Sequence, residues 1–112
     1  MNPIVLDATF DDGSVRVRFE GELDLTTVPN AEEFVSNIER EHAPDTLVLD
    51  LRDLRFLDSS GLRFILTVDA RARKEGRRLR IVSGPEAVHR VFRIALLETR
   101  LEFVEEKEVD GA

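Results

Sequence analysis

The stretch Phe56-Leu57-Asp58-Ser59-Ser60-Gly61-Leu62 joins two segments of different periodicity. Before it stands Leu47-Val48-Leu49-Asp50-Leu51, a nearly continuous apolar run of strand character. After it, residues 62–75 repeat apolar side chains at helical spacing. A strand that enters a helix through an acidic, hydroxyl-bearing turn is half of a strand–helix–strand crossover, so this junction decides for an α/β fold. Asp58, Ser59 and Ser60 can each accept hydrogen bonds from the first free N–H groups of the helix. Two adjacent serines exceed what a cap needs. One can hold the backbone while the other turns its hydroxyl outward, and that spare hydroxyl is the candidate functional atom.

Upstream, Ile4 to Phe10 is apolar and β-leaning, and Asp11-Asp12-Gly13-Ser14 carries the Asp-Gly signal of a tight hairpin. Val15, Val17 and Phe19 alternate with Arg16, Arg18 and Glu20, a strand with one buried face. Gly21-Glu22-Leu23-Asp24-Leu25 ends it. Thr26 or Thr27 can cap the next helix, with Pro29 at a tolerated early position, while Asn30 and Glu33 form a rival capping box. Ala31, Phe34, Val35 and Ile38 make the helical stripe, and Glu32, Glu33, Glu39, Arg40 and Glu41 are expected to face water. Ala43-Pro44-Asp45 ends that helix. The run Leu47–Leu51 then reads as a central strand covered on both faces.

Downstream of the junction, Leu62, Ile65, Leu66, Asp69 and Ala72 give one side of the second helix. Phe64 and Val68 form a second strip beside an exposed Arg63, and that strip is expected to be open to a partner. Gly76 closes the helix. Leu79–Val82 is a short strand, Ser83-Gly84-Pro85-Glu86 a second strand-to-helix turn, and Val88, Val91, Phe92, Ala95 and Leu96 a third amphipathic helix. Leu101–Val104 is a candidate edge strand, and Glu105–Ala112 an acidic, frayed tail. The expectation is one domain over residues 1–112 with its core in 4–104. Its fold is α/β, a mixed sheet of four to five strands with about three to four helices in the order ββαβαβα(β). If strands two, three and four are parallel, their carboxyl ends share one edge. The turns at Asp24, Asp58-Ser59 and Ser83-Gly84 should then cluster there, where open α/β sheets place their sites.

Composition narrows the chemistry. A net charge of −7 opposes nucleic acid and anionic membranes as partners. The absence of cysteine removes disulfides and thiolate catalysis. No signal-peptide pattern and no long apolar run is present, so a cytoplasmic location is expected. No phosphate loop occurs, the only histidines are His42 and His89, and Ser59 lies in no Gly-x-Ser-x-Gly elbow. Neither a metal, a cofactor nor a hydrolytic triad is therefore expected, and a small hydrolase using Ser59 is the weakest reading.

Gly21-Glu22-Leu23-Asp24 followed by a helix, then Leu49-Asp50-Leu51 and Asp58-Ser59-Ser60-Gly61-Leu62, resembles the STAS domain family, and more closely its free-standing bacterial anti-sigma factor antagonists. The resemblance runs from Ile4 to Val104. It implies a regulatory protein, not an enzyme. Its unmodified form binds an anti-sigma factor that is also a serine kinase, and so releases a sigma factor. The kinase uses ATP and Mg²⁺ to phosphorylate the serine directly after the motif aspartate, here Ser59, and a phosphoserine phosphatase reverses the step. Asp24 and Asp58 are similar to residues of partner recognition, Ser60 and Gly61 match the helix-start positions, and Arg63 joins them on the expected partner edge. The alternative within the family is a STAS subunit of another signalling or lipid-transport complex. A transporter tail is disfavoured because no membrane segment accompanies the domain.

Overall fold

Strands β1 (Ile4–Asp11) and β2 (Ser14–Leu23) turn on Asp12 and Gly13, whose φ values of 42° and 86° are both positive. That geometry carries the twist a two-residue hairpin needs. The computed structural model describes residues 3–105, and in it the two strands pair antiparallel from Ile4↔Gly21 to Asp11↔Ser14. β3 (Thr46–Leu57), β4 (Arg78–Val82) and β5 (Phe103–Val104) follow in parallel, giving one sheet in the order β1-β2-β3-β4-β5. Helices α1 (Val28–His42), α2 (Ser59–Glu75) and α3 (Glu86–Ile94) make the crossovers. The mixed sheet, the element order and the parallel core are as expected.

Period-two alternation sends Val15, Val17 and Phe19 of β2 and Leu47, Leu49 and Leu51 of β3 to one face. There they join Val35 of α1, Ile65 of α2 and Phe92 of α3 in a single buried cluster, so all three helices pack on that face. Each such fully buried side chain contributes about 1.5–3 kcal/mol. The reverse face has no helix layer. Val48, Val82 and Val104 form a small cluster there. Beside it Asp50, 1% exposed, is held by Arg16 at 3.2 Å and Arg52 at 2.7 Å. The whole run Leu47–Leu51 is thus buried on both faces, the second covered by valines and ion pairs.

Three expectations fail, each for a packing reason. Phe64 and Val68, expected as an open strip, are 4% and 0% exposed. α2 packs against the sheet and α1 together, which widens its buried arc, and Phe64 meets Phe19 edge-on at 6.4 Å. Glu39 does not face water. The α1–α2 contact places it against Arg71 at 2.8 Å and Arg77 at 3.5 Å. α3 stops at Ile94, because Leu96 takes a left-handed φ of 61° and lies 84% exposed, while Leu101 turns into the core instead. Ala95 and Leu96 therefore do not belong to the buried stripe. Of the expected acidic tail, residues 106–112 lie outside the described residues.

Candidate functional site

β2 and β3 end side by side, with Leu23 paired to Leu57. Asp24 follows one strand and Asp58 the other, so the topology alone brings these two loops together. The backbone then ties them. The Asp58 N–H donates to the Leu23 carbonyl at 3.3 Å. Gly61, in the first turn of α2, packs against the same carbonyl so closely that a Cβ there would lie 2.6 Å from the oxygen. Glycine at this position is a requirement of space.

Asp58 is the N-cap. Its extended backbone, φ −108° and ψ −173°, lets Oδ1 accept from the N–H groups of Ser60 at 2.9 Å and Gly61 at 3.0 Å. Such a cap stabilises by about 1 kcal/mol. The expectation that one serine would hold the backbone is thereby corrected: the aspartate does so, and both serines are released from that duty. Ser59 is the first residue of α2 and exposed, and its hydroxyl has no hydrogen-bond partner among the described residues. Ser60 is half-buried. It lines a groove of about 450 Å³ between α1 and α2 together with Leu25, Val28, Arg63 and Phe64. Arg63 is exposed one helical turn beyond Ser59.

The Asp24 loop is built as a rigid turn. Asp24 Oδ1 accepts from the Thr26 N–H at 3.0 Å, the Thr26 hydroxyl at 2.8 Å and the Thr27 N–H at 3.1 Å. The Thr26 hydroxyl, opposed by desolvation and reinforced by the Thr27 and Thr26 N–H groups, holds the Asp24 carboxyl below the usual carboxylate range. It is an anion at neutral pH. Thr27 stands at the N-cap position of α1, but its buried hydroxyl donates back to the Glu22 carbonyl at 2.8 Å. None of the caps expected from Thr26, Thr27 or the Asn30–Glu33 pair forms. The first turn is instead received by Asp24, whose backbone carbonyl accepts from the Val28 N–H at 2.9 Å.

The Ser83-Gly84 turn does not join the cluster. Along β3, β4 reaches only Thr46–Asp50, so Leu51 to Leu57 carry β3 about 20 Å further. A parallel sheet shares an edge only where its strands have equal reach, and here β3 is much the longer. Gly84 sits beside the Leu51 carbonyl instead. The histidines are elsewhere too. His42 lies tilted against Phe10, with ring centroids 4.6 Å apart, at the hairpin end of the sheet. His89 Nε2 meets Glu98 at 2.8 Å, with its ring against Phe103. Sequence reading overlooked two flanking residues, Leu25, 72% exposed, and Phe56, also exposed. Their signal was an apolar residue that fits no buried stripe, Leu25 in the turn after β2 and Phe56 at the end of β3.

The site thus sets an exposed serine beside the Asp58 cap and an open groove. Fold and site together define a small mixed α/β domain with this pair of loops at the carboxyl ends of β2 and β3. The chain belongs to the STAS domain family, whose domain matches residues 5–108. It is similar to the anti-sigma-B factor antagonist of Staphylococcus aureus, with 27% identity over 105 residues covering 94% of this chain and 96% of that one. Among solved structures, an anti-sigma factor antagonist from Mycobacterium paratuberculosis superposes with a TM-score of 0.81 at 26% identity, covering 89% of this chain and 84% of the other. The anti-sigma factor antagonist SpoIIAA in its unphosphorylated form shares the fold, with a TM-score of 0.79 at 22% identity over 96% and 98% of the two chains. Among the described residues, no helix is long and apolar enough to cross a membrane.

Proposed function

We propose that this chain is an anti-sigma factor antagonist. Its unmodified form captures an anti-sigma factor serine kinase through Asp24, Asp58, Ser59, Ser60, Gly61 and Arg63, freeing a sigma factor, and phosphorylation of Ser59 ends the capture. The chain is the kinase's substrate and catalyses nothing itself. In the transfer, the Ser59 oxygen bonds to the γ-phosphorus of ATP, the bond from that phosphorus to the bridging oxygen breaks, ADP leaves, and the hydroxyl proton passes to a base of the kinase. A phosphoserine phosphatase restores the hydroxyl. The observation that carries this reading is the Ser59 hydroxyl, exposed at the start of α2 and freed from capping by Asp58.

The size of the switch follows from charge. Phosphoserine carries about −1.5 to −2 at neutral pH. At about 5 Å from a partner carboxylate that charge costs about 2 kcal/mol in water and about 7 kcal/mol at an effective dielectric of 20. Ser59 is exposed, so the lower figure governs, and about 2 kcal/mol weakens binding roughly thirtyfold. Incubation with ATP and an anti-sigma factor kinase of the same organism should add one phosphate, read by intact mass. Ser59→Ala should stay unlabelled and bind constitutively. Labelling of Ser59→Ala would defeat the assignment.

A further inference from the structure

We infer that Arg63 is the internal counter-ion of phosphorylated Ser59: on modification its guanidinium folds back over the first turn of α2 and pairs with the phosphate. The inference rests on the proposed modification of Ser59 and adds what this chain does with the charge it receives. Ser59 and Arg63 stand four residues apart on one helix, and both are exposed. Residues so spaced have Cβ atoms about 5–6 Å apart, and an acid placed N-terminal to its base is the favourable order. Side chains on a helix also lean toward its N-terminus, so the patch that Arg63 covers lies over the turn holding Ser59.

None of the carboxylates near that guanidinium holds it. Among the described residues Arg63 has no ion pair, unlike Arg71 and Arg73 on the same helix. Glu32, which lines the same groove, is taken by Arg71 at 2.9 Å. Asp58 spends Oδ1 on the Ser60 and Gly61 N–H groups, and Asp24 spends Oδ1 on Thr26 and Thr27. Thr67, one turn further on, donates its hydroxyl to the Arg63 carbonyl at 3.0 Å and leaves the guanidinium alone. An arginine facing a phosphate across one helical turn can donate two N–H groups to it, the strongest class of side-chain pair. Before modification Arg63 offers its charge outward to a partner; afterwards it is drawn onto the phosphate. The switch then has two parts, a charge that repels and a cation withdrawn from the interface.

The test uses full-length protein with phosphoserine installed at position 59 during translation, so it does not depend on any kinase accepting Ser59. The ³¹P shift of the phosphate is followed against pH in wild type, Arg63→Gln, Arg63→Lys and Lys74→Gln. Lys74 lies at the far end of α2 and controls for the loss of one charge. Asp24 and Asp58 raise the second phosphate pKa equally in all four proteins and cancel in the comparison. Arg63→Gln should titrate about 0.5 pH unit above wild type, the shift that one charge at about 5 Å gives in water. Arg63→Lys should recover part of that difference, Lys74→Gln should follow wild type, and 1 M NaCl should erase the difference. Equal titration of wild type and Arg63→Gln, or an equal shift with Lys74→Gln, overturns the inference. Failure of the kinase to label Ser59 would instead strike the proposed function.

Discussion

Replacing Gly61 with alanine probes the joint on which the site rests. In an ordinary helix interior the exchange stabilises by about 1 kcal/mol, because glycine is the poorer helix former. Here the new Cβ would fall 2.6 Å from the Leu23 carbonyl oxygen and 2.6 Å from Leu57 Cδ1. Non-bonded heavy atoms settle at about 3.5–4.0 Å, so α2 must retreat by roughly 1 Å. The leucine end can rotate away. The carbonyl cannot, since it belongs to the β2 backbone and receives the Asp58 N–H. Overpacking costs about 1–3 kcal/mol, and a backbone obstacle puts this site at the upper end. The net loss is about 2 kcal/mol, or about 8 °C in melting temperature for a domain of this size. The chain has neither Trp nor Tyr, so unfolding is best followed by far-UV circular dichroism in urea and on heating. Gly76→Ala is the contrasting case. That position has φ 69° with nothing within 4 Å of the added atom, so it should lose about 1–2 kcal/mol by backbone strain alone, without touching the site. A Gly61→Ala protein that melts at or above wild type would refute the claim that this close approach holds the two loops together.

Ser59→Asp should leave stability within about 0.5 kcal/mol, as surface substitutions do, while weakening kinase binding in a pull-down or titration. It should do so less than phosphorylation does, because one charge replaces nearly two. Asp58→Ala removes the acceptor of two first-turn N–H groups and should cost about 1 kcal/mol in a urea melt. Asp50 governs part of the acid response. Burial pushes its carboxyl up, but the Arg52 side chain and N–H, with the charge of Arg16, pull it below its ordinary value. A depressed folded-state pKa stabilises above the unfolded value of about 3.9, and that stability is lost as pH falls through the folded value. Asp50→Asn should therefore be less stable at neutral pH by about 1–2 kcal/mol, discounted for its half-exposed Arg52 partner, and its stability should fall less steeply below about pH 4.

The fold was legible wherever one short-range signal dominated. Asp12-Gly13 announced the hairpin, alternation from Val15 to Phe19 announced β2, and the run at Leu47 announced the central strand. Asp24 and Asp58-Ser59 could be placed together because parallel neighbours share a carboxyl edge. Strand reach was not legible. Nothing in Leu79–Val82 says that β4 stops where β3 has half its length still to run, so sequence alone puts Ser83-Gly84 at an edge it never reaches. Helix exposure is hidden from the sequence for a similar reason. Phe64 and Val68 look surplus when α2 is assumed to face only the sheet, and become core once α1 lies alongside. Glu39 looks solvated until Arg71 and Arg77 arrive from residues more than thirty positions away. Capping was settled by geometry as well. Asp58, Ser59 and Ser60 are equal candidates on paper, and only the extended backbone at Asp58 selects one.

That selection also bears on how a phosphate at Ser59 could act. Asp58 already takes the Ser60 and Gly61 N–H groups, so phosphorylation has little backbone bonding left to rearrange. The helix N-terminus and the inferred Arg63 pair attract the added anion while the neighbouring Asp58 carboxylate repels it, and all of these effects act at the surface of the first turn. On the proposed switch the fold should then stay as it is, and the kinase should distinguish the two forms by the charge it meets at the edge. An electrostatic switch of this kind is screened by salt, since the Debye length shrinks from about 8 Å at physiological ionic strength to about 3 Å at 1 M. Affinity of the phosphorylated form for the kinase should therefore rise toward that of the unmodified form as NaCl is raised to 1 M. A gap of unchanged size across that range would mean that the phosphate acts by bulk or by reshaping α2, and the account built on charge would have to be abandoned.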